Sequence, residues 1–175
     1  MARQKDDFYP TPSEATQLLL DNETFTGKVW ECACGNGAMS KVLQENGYDV
    51  LSTDLNNYGF GESNRDFLLE KEQLAPNICT NPPFKVAQDF IEKCFELDVD
   101  KIAMFLRLSF LESVKRRDFF QQNPPVRVYV MSKRFTLWRG DETPSGSGIT
   151  PYAWYVWERS GKNAYSKGRP TLWWL

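Results

Sequence analysis

Residues 80–84, TNPPF, combine groups that can hold a flat amino group. Asn81 offers a side-chain carbonyl oxygen, and Pro82 offers a backbone carbonyl on a conformationally restricted residue. Two fixed acceptors can bind both N–H groups of a planar amine, and Phe84 adds a face on which a base can stack. Pro83 adds rigidity and favours the start of a helix. The alternative is a structural strand-to-helix turn with Phe84 in the core.

The segment ECACGNG at residues 31–37 has the composition of a turn that approaches a ligand closely. It begins with an acid, and Gly35 and Gly37 allow a sharp backbone turn. Asp54 follows 19 residues after Gly35, about the spacing at which an acid accepts hydrogen bonds from ribose hydroxyls. Ser40 stands where a dinucleotide fingerprint has its third glycine, which favours a nucleoside ligand without a pyrophosphate. The alternative is a tight turn between strand and helix.

The elements that must position these residues are strands that alternate with helices. Strands are predicted at residues 28–33, 48–54, 77–80, 101–108, 126–132 and 152–158. Helices are predicted at residues 37–47, from residue 84 onward and at residues 110–122. The alternation predicts an α/β fold with a largely parallel sheet and an antiparallel pair near the C-terminus. Ligands bind at the carboxyl ends of the strands in such sheets, which is where both motifs fall.

The composition excludes several kinds of site. The chain has no histidine and four cysteines without a CxxC pair, which argues against a zinc site and against histidine-activated nucleophiles. No apolar run is long enough to span a membrane, and the first ten residues lack the apolar stretch of a secretory signal. These features predict a cytoplasmic protein with reduced cysteines. Neither a repeat nor a linker is evident, which predicts a single domain over residues 1–175.

Charge is distributed unevenly along the chain. Residues 1–100 carry 8 basic and 18 acidic side chains, whereas residues 101–175 carry 13 basic and 5 acidic ones. Aromatic residues are interleaved with the basic ones in the second half. This pattern favours an anionic partner such as nucleic acid. The alternative is that the two halves balance each other across the fold.

The ordered motifs resemble those of class I S-adenosylmethionine-dependent methyltransferases, in particular the amino-methylating kind typified by DNA adenine-N6 methyltransferases. The matching segments are FYPTP (8–12), ECACGNG (31–37), TDL (53–55), RDFL (65–68) and NPPF (81–84). The resemblance implies a Rossmann-like methyltransferase fold with a seven-stranded, mostly parallel sheet, a reversed seventh strand and an antiparallel C-terminal hairpin. It also implies S-adenosylmethionine as cofactor, no metal, and adenine N6 in DNA as the target. The compact chain is similar in style to small phage-encoded methyltransferases.

Roles for individual residues follow from the same resemblance. The residues implied at the methionine end of the cofactor are Tyr9, Pro10, Thr11, Glu31, Gly35 and Gly37. The remaining cofactor residues are Asp54 at the ribose, Asp66 and Phe67 beside the adenine ring, and Cys32, Leu55 and Asn81. The residues implied to bind and orient the target nitrogen are Asn81, Pro82, Pro83 and Phe84.

The chemistry expected of these groups is electrostatic. Accepting hydrogen bonds from both N–H groups favours a pyramidal nitrogen and stabilises the positive charge that develops during attack. Neither a covalent intermediate nor a strong base is required. A base in a duplex would have to be flipped into the pocket.

The chain leaves no room for a separate target-recognition domain, so recognition is expected from basic residues of the second half. The residues predicted to contact phosphates are Arg107, Lys115, Arg116, Arg117, Lys133, Arg134 and Arg139. The alternative for each of them is a surface ion pair. Loose sequence specificity, a single-stranded or structured target, or help from a partner is expected.

Other targets and a non-enzymatic role stay open at this point. The same tetrapeptide serves protein glutamine-N5 and rRNA guanine-N2 methyltransferases, since each of their targets is also a planar amino group. The basic second half argues against a protein substrate but does not separate DNA from RNA. Outside enzymes, the chain could be a cofactor-binding module without a productive target site.

Overall fold

The computed structural model describes residues 8–137, 150–161, 164–165 and 168–175. The helices of these residues are α1 (Ser13–Leu20), α2 (Ala38–Glu45), α3 (Ala87–Glu96) and α4 (Arg117–Gln122). The strands are β1 (Val29–Glu31), β2 (Val50–Ser52), β3 (Asn77–Thr80), β4 (Lys101–Arg107), β5 (Arg127–Val130), β6 (Tyr152–Gly161), β7 (Ala164–Tyr165) and β8 (Thr171–Trp174). Each of the six predicted strands is present, most of them shorter than predicted.

The strands form one sheet in the order β2-β1-β3-β4-β6-β5-β8, and β7 pairs with β6 outside that path. Strands β1 to β4 pair in parallel, β6 runs antiparallel to both β4 and β5, and β8 pairs in parallel with β5. This arrangement confirms the predicted seven-stranded, mostly parallel sheet with its antiparallel C-terminal hairpin. Strand β8 was not predicted: all four of its residues are exposed, so no burial pattern marks it in the sequence.

Helices cover both faces of the sheet. Successive residues of a strand point to opposite faces, so each strand contributes side chains to both layers of helices. In β6, Trp154 packs in a cluster with residues of α1 and α2, whereas Tyr155 packs in a cluster with residues of α3 and α4. The indole nitrogen of Trp154 donates to the carbonyl of Ala15 over 2.8 Å, so α1 is tied to the sheet as well as packed on it. This contact anchors the segment that follows the FYPTP motif.

Helix α2 ends at the predicted glycine. Gly47 has φ +86, its N–H donates to the carbonyl of Gln44, and the N–H of Tyr48 donates to the carbonyl of Leu43. These two bonds form a Schellman motif, which requires a left-handed residue at the position of Gly47. The turn returns the chain toward β2.

The helix predicted at residues 110–122 is wrong over its first half. Residues Leu108–Leu111 and Val114–Arg116 form 3₁₀ turns, and the α-helix begins only at Arg117. Ser113 lies between the turns in an extended conformation, and its hydroxyl accepts the N–H of Lys115 over 3.2 Å. A side chain that satisfies a nearby backbone donor competes with helix formation. The helix predicted from residue 84 likewise starts with a 3₁₀ turn before α3.

A network of charges lies at the end of the sheet opposite to the motifs. The buried carboxylate of Glu23 accepts hydrogen bonds from Arg127, from Lys101 over 2.5 Å and from the Tyr129 hydroxyl over 2.7 Å. Burial acts to raise the pKa of Glu23, but these hydrogen bonds outweigh it and hold the pKa below its ordinary value. The network joins the chain before β1 to the first residues of β4 and β5.

Arg139 and nearly all of the predicted loop at residues 140–151 lie outside the described residues. Within the described ranges, each helix is too short or too polar to cross a lipid bilayer.

Candidate active site

A cavity of about 250 Å³ opens where β1, β2 and β3 end. Its volume lies just below the ~300–1,000 Å³ typical of ligand pockets. Thirteen of the fifteen residues expected at the cofactor or the target nitrogen line it: Tyr9, Pro10, Thr11, Glu31, Cys32, Asp54, Leu55, Asp66, Phe67, Asn81, Pro82, Pro83 and Phe84. The sequence motifs therefore converge on one site, because the carboxyl ends of parallel strands meet at one edge of the sheet.

The two expected residues that do not line the cavity are the glycines. Gly35 and Gly37 have φ of +53 and +78, the left-handed region that glycine tolerates best. A Cβ on Gly35 would lie 2.2 Å from the ring of Phe8, and a Cβ on Gly37 would lie 2.4 Å from the ring of Phe60. Both positions therefore require glycine for backbone conformation and for close packing against an aromatic ring.

Asp54 joins the glycine turn to the loop after β2. One of its carboxylate oxygens accepts the N–H of Gly35 over 2.8 Å, and the other accepts the N–H of Asn56 over 2.8 Å. Asp54 also lines the cavity. Asp54 thus fixes the turn and also presents an acidic edge to the cavity.

Glu31 is a buried carboxyl group on the cavity wall. Its oxygen accepts the hydroxyl of Ser40, and the hydroxyls of Ser40 and Ser52 lie 2.6 Å apart. Burial, reinforced by the nearby charge of Asp54, raises the pKa of Glu31 to about 8, even though the Ser40 hydrogen bond lowers it. Glu31 is therefore largely protonated at neutral pH in the protein alone, and a cation bound beside it would favour its ionised form.

The orientation of the Asn81 side chain is determined by its partners. Its amide nitrogen donates to the backbone carbonyl of Tyr9 over 3.2 Å and to the hydroxyl of Thr11 over 3.1 Å. A carbonyl can only accept, so the atom that faces Tyr9 must be the nitrogen. The side-chain oxygen of Asn81 has no hydrogen-bond donor among the described residues, and neither has the carbonyl of Pro82. These two oxygens are called the acceptor pair below.

Phe84 follows the acceptor pair and lies among aromatic rings. Its ring centroid is 6.4 Å from that of Tyr9 and 6.1 Å from that of Tyr152. The guanidinium of Arg107, at the end of β4, lies over the Phe84 ring with its central carbon 4.4 Å from the centroid. The predicted stacking face is thus present, but in this structure an arginine covers it.

Asp66 and Phe67 also line the cavity. Asp66 accepts the N–H of Leu68 over 3.0 Å and so caps the 3₁₀ turn over Phe67–Leu69. Phe67 is buried and makes an edge contact with Trp30 at 5.2 Å. One residue therefore presents a polar edge to the cavity, and the other an apolar wall.

Sequence reasoning missed several residues of the site. Phe8 and Tyr58 stack with their centroids 4.2 Å apart and both line the cavity. Arg65 also lines it, and its guanidinium pairs with Glu70 at 2.5 Å and with Glu62 at 3.1 Å. Phe8 and Arg65 lie inside matched motifs. Neither residue type indicates by itself that its side chain lines a cavity.

The predicted phosphate-binding residues divide into different environments. Lys115, Arg117 and Arg134 are exposed. Arg116 donates instead to the backbone carbonyls of Ser109, Phe110 and Glu112, and its guanidinium lies 4.6 Å from the Phe110 ring centroid. Lys133 pairs with Glu14 at 2.5 Å on the surface. Arg116 is therefore engaged in holding the turns between β4 and α4.

The cavity contains several acidic residues. Its wall contains the carboxyl groups of Glu31, Asp54 and Asp66. Among the residues that the structure describes, no group of three or more histidine, cysteine, aspartate or glutamate side chains is placed to hold a metal ion. The separated acids suit a ligand that carries positive charge and hydrogen-bond donors along its length.

Comparison by sequence gives no relative: no protein-family model matches the chain, and no curated protein matches it. Comparison by structure gives many. A protein assigned as an RNA methyltransferase from Pyrococcus horikoshii has a TM-score of 0.63 and 15% identity, over 86% of each chain. A dimethyladenosine transferase from Plasmodium falciparum has a TM-score of 0.57 and 12% identity, over 85% of this chain and 61% of that one.

A third likeness is to a larger protein. A protein assigned as a modification subunit of a type I restriction enzyme from Vibrio vulnificus has a TM-score of 0.56 and 12% identity. It is matched over 88% of this chain but 45% of its own. At these identities the comparisons establish the fold, which is the Rossmann-like fold of methyltransferases.

Proposed function

We propose that this chain is an S-adenosylmethionine-dependent N-methyltransferase that acts on an exocyclic amino group, with adenine N6 in DNA as the favoured target. The observation that carries the proposal is the acceptor pair of Asn81 and Pro82 on the wall of a cavity that also contains three carboxyl groups. The acceptors suit a planar amine, and the carboxyl groups suit a cation.

The residues present fit the proposed cofactor. These residues line the cavity: Asp54 and Asp66 would hold the ribose and the adenine, Phe67 would form the apolar wall beside the adenine, and Glu31 would lie at the methionine end. When bound, S-adenosylmethionine supplies a methyl group that is activated by its bond to the sulfonium sulfur. The buried Glu31 carboxyl would lose its proton in favour of the ligand's positive charge, so binding and ionisation are coupled.

The chain's own contribution to the reaction is positioning and electrostatics. The acceptor pair binds both N–H groups of the target amine, which favours a pyramidal nitrogen whose lone pair is no longer delocalised into the ring and can attack the methyl group. The same two oxygens stabilise the positive charge that forms on the nitrogen during attack, because they are held in place before it develops. The surplus proton leaves the product amine to water, so no side chain with a basic pKa is required.

A second candidate target is an amino group of RNA. The observation that favours it is the structural likeness to a protein assigned as an RNA methyltransferase, which spans 86% of both chains. The likeness to the restriction-modification subunit covers less than half of that protein.

The test of the proposal combines binding with product analysis. Calorimetry should detect binding of S-adenosylmethionine, and its absence at millimolar ligand would contradict the proposal at once. Labelled methyl transfer to pools of DNA, RNA and protein, followed by mass spectrometry of the nucleosides, should yield N6-methyladenine from DNA. Asn81→Ala should abolish transfer while leaving cofactor binding nearly intact; equal loss of both would indicate a purely structural turn.

A further inference from the structure

We propose that Arg107 is a placeholder for the target base: its guanidinium covers the outward face of Phe84 in the free protein, and a nucleotide displaces it while its phosphate pairs with the released charge. This inference rests on the proposed function. It adds a specificity-determining residue and a requirement that the target amine carry an anionic group nearby.

The position of Arg107 identifies the covered face as the one that opens to solvent. Phe84 packs against buried residues of both hydrophobic clusters. Arg107 is exposed, and its guanidinium carbon lies 4.4 Å from the Phe84 ring centroid. The covered face therefore points away from the core. A base that stacks on Phe84 while its amine reaches Asn81 must use this face.

The contact is weak enough to be exchanged. A cation–π contact at an exposed site contributes less than a base–aromatic stack does. The alternatives open to the guanidinium are also limited, because no carboxylate of the described residues lies within ion-pair distance of it. Displacement thus breaks one modest contact and breaks no salt bridge.

The charge of the displaced Arg107 determines which targets bind more tightly. A guanidinium forms paired hydrogen bonds with phosphate oxygens, so a nucleotide can satisfy it after the base has taken its place. A nucleoside or a glutamine side chain of a neutral peptide offers the flat amine without that anion. The placeholder therefore favours a nucleic-acid target over a protein target.

The experiment measures how adenosine and adenosine 5′-monophosphate bind by NMR titration with S-adenosylhomocysteine at saturation, so that the cofactor site is filled. Arg107→Ala should bind adenosine about two- to fivefold more tightly than the wild type, since the covering group is gone. The same variant should bind the monophosphate less tightly, since the phosphate partner is lost. Tighter binding of adenosine and weaker binding of the monophosphate are changes of opposite sign. A general change of the surface would shift both affinities in the same direction.

Two further variants complete the design. Arg107→Lys keeps the charge but lacks the flat stacking group, so it should retain the preference for the monophosphate. Arg169→Ala removes an exposed arginine of the C-terminal segment and should change neither affinity. Weaker adenosine binding in Arg107→Ala, or no change in either ligand, would overturn the placeholder. Failure of the wild type to bind S-adenosylhomocysteine would count against the proposed function instead.

Discussion

The side-chain amide of Asn81 donates to the hydroxyl oxygen of Thr11 over 3.1 Å, across 70 positions of the chain. Thr11 is buried, and the second acceptor of the same amide is the backbone carbonyl of Tyr9. The segment before α1 therefore determines which atom of Asn81 faces the cavity. The resemblance assigned Thr11 to the cofactor, whereas the structure also places it against the residue proposed to bind the target.

Thr11→Val should reduce kcat by about three- to tenfold, because one of the two contacts that orient the Asn81 amide is lost. The KM for S-adenosylmethionine should change little, since the cavity keeps its shape. Thr11→Ser retains the hydroxyl and should recover most of the activity. Steady-state kinetics on both variants measures kcat and the KM for S-adenosylmethionine. A rise of that KM by about three- to tenfold with an unchanged kcat would contradict the prediction.

Glu31→Gln should raise the stability of the cofactor-free protein at alkaline pH. The pKa of Glu31 is raised from 4.5 to about 8, so its contribution to stability is fully present below about pH 4.5 and is lost as pH rises toward 8. The gain from the substitution should therefore grow by up to about 1.4 kcal/mol per pH unit in this range and then level off. Chemical denaturation at pH 5, 6.5 and 8 measures it; a gain that is independent of pH would show that Glu31 is already ionised.

The same substitution should weaken cofactor binding, because glutamine cannot supply the negative charge that a bound cation favours. Calorimetry in two buffers of different ionisation enthalpy should reveal proton release on binding to the wild type at pH 7 and less release with Glu31→Gln. Ser52→Ala, which leaves the Glu31 carboxyl in place, serves as the control.

Gly35→Ala should impair both folding and cofactor binding. A side chain at this position must adopt φ +53 and meets the ring of Phe8 at 2.2 Å. Gly47→Ala is a matched control, since φ is +86 there and nothing lies within 4 Å of the added atom. The control should lose about 1 kcal/mol through backbone strain alone, and Gly35→Ala should lose more. Equal losses in thermal unfolding would mean that Phe8 moves aside freely.

Glu23→Ala should destabilise the fold by about 1.5–3 kcal/mol, because Arg127 and Lys101 lose a buried partner and keep only Glu158 among the described carboxylates. Asp49→Ala, which removes an exposed partner of Lys28, should have little effect. The pKa of Glu23 is lowered, so its contribution is present above about pH 4.5 and is lost as pH falls below that value. Denaturation curves at pH 7 and pH 3.5 should therefore differ less for the variant than for the wild type.

Charge reversal at Lys115 and Arg117 should weaken binding to nucleic acid and reduce its dependence on salt, without lowering the melting temperature. Both side chains are exposed, Lys115 in the turn before α4 and Arg117 at the first residue of α4. Arg116→Glu should lower the melting temperature, because the guanidinium holds three backbone carbonyls. Fluorescence anisotropy at several salt concentrations measures the affinity for nucleic acid, and thermal unfolding measures the melting temperature of each variant.

Local patterns predicted the main elements well where one physical preference dominated. The strand at Asn77–Thr80 and the end of α2 close to Gly47 are as expected, because burial and backbone conformation there depend on neighbouring residues. The failure at residues 110–122 arose where Ser113 offers the backbone a competing hydrogen bond. Helical periodicity alone does not reveal that competition.

The fold class and the types of group at the site were predictable from the sequence, since motif order along a parallel sheet places strand ends together. The orientation of Asn81, the ring of Phe8 against Gly35 and the guanidinium of Arg107 over Phe84 became apparent only from the packed structure. Those contacts join residues that lie far apart along the chain. Their geometry depends on how the elements pack, and short-range preferences carry no information about it.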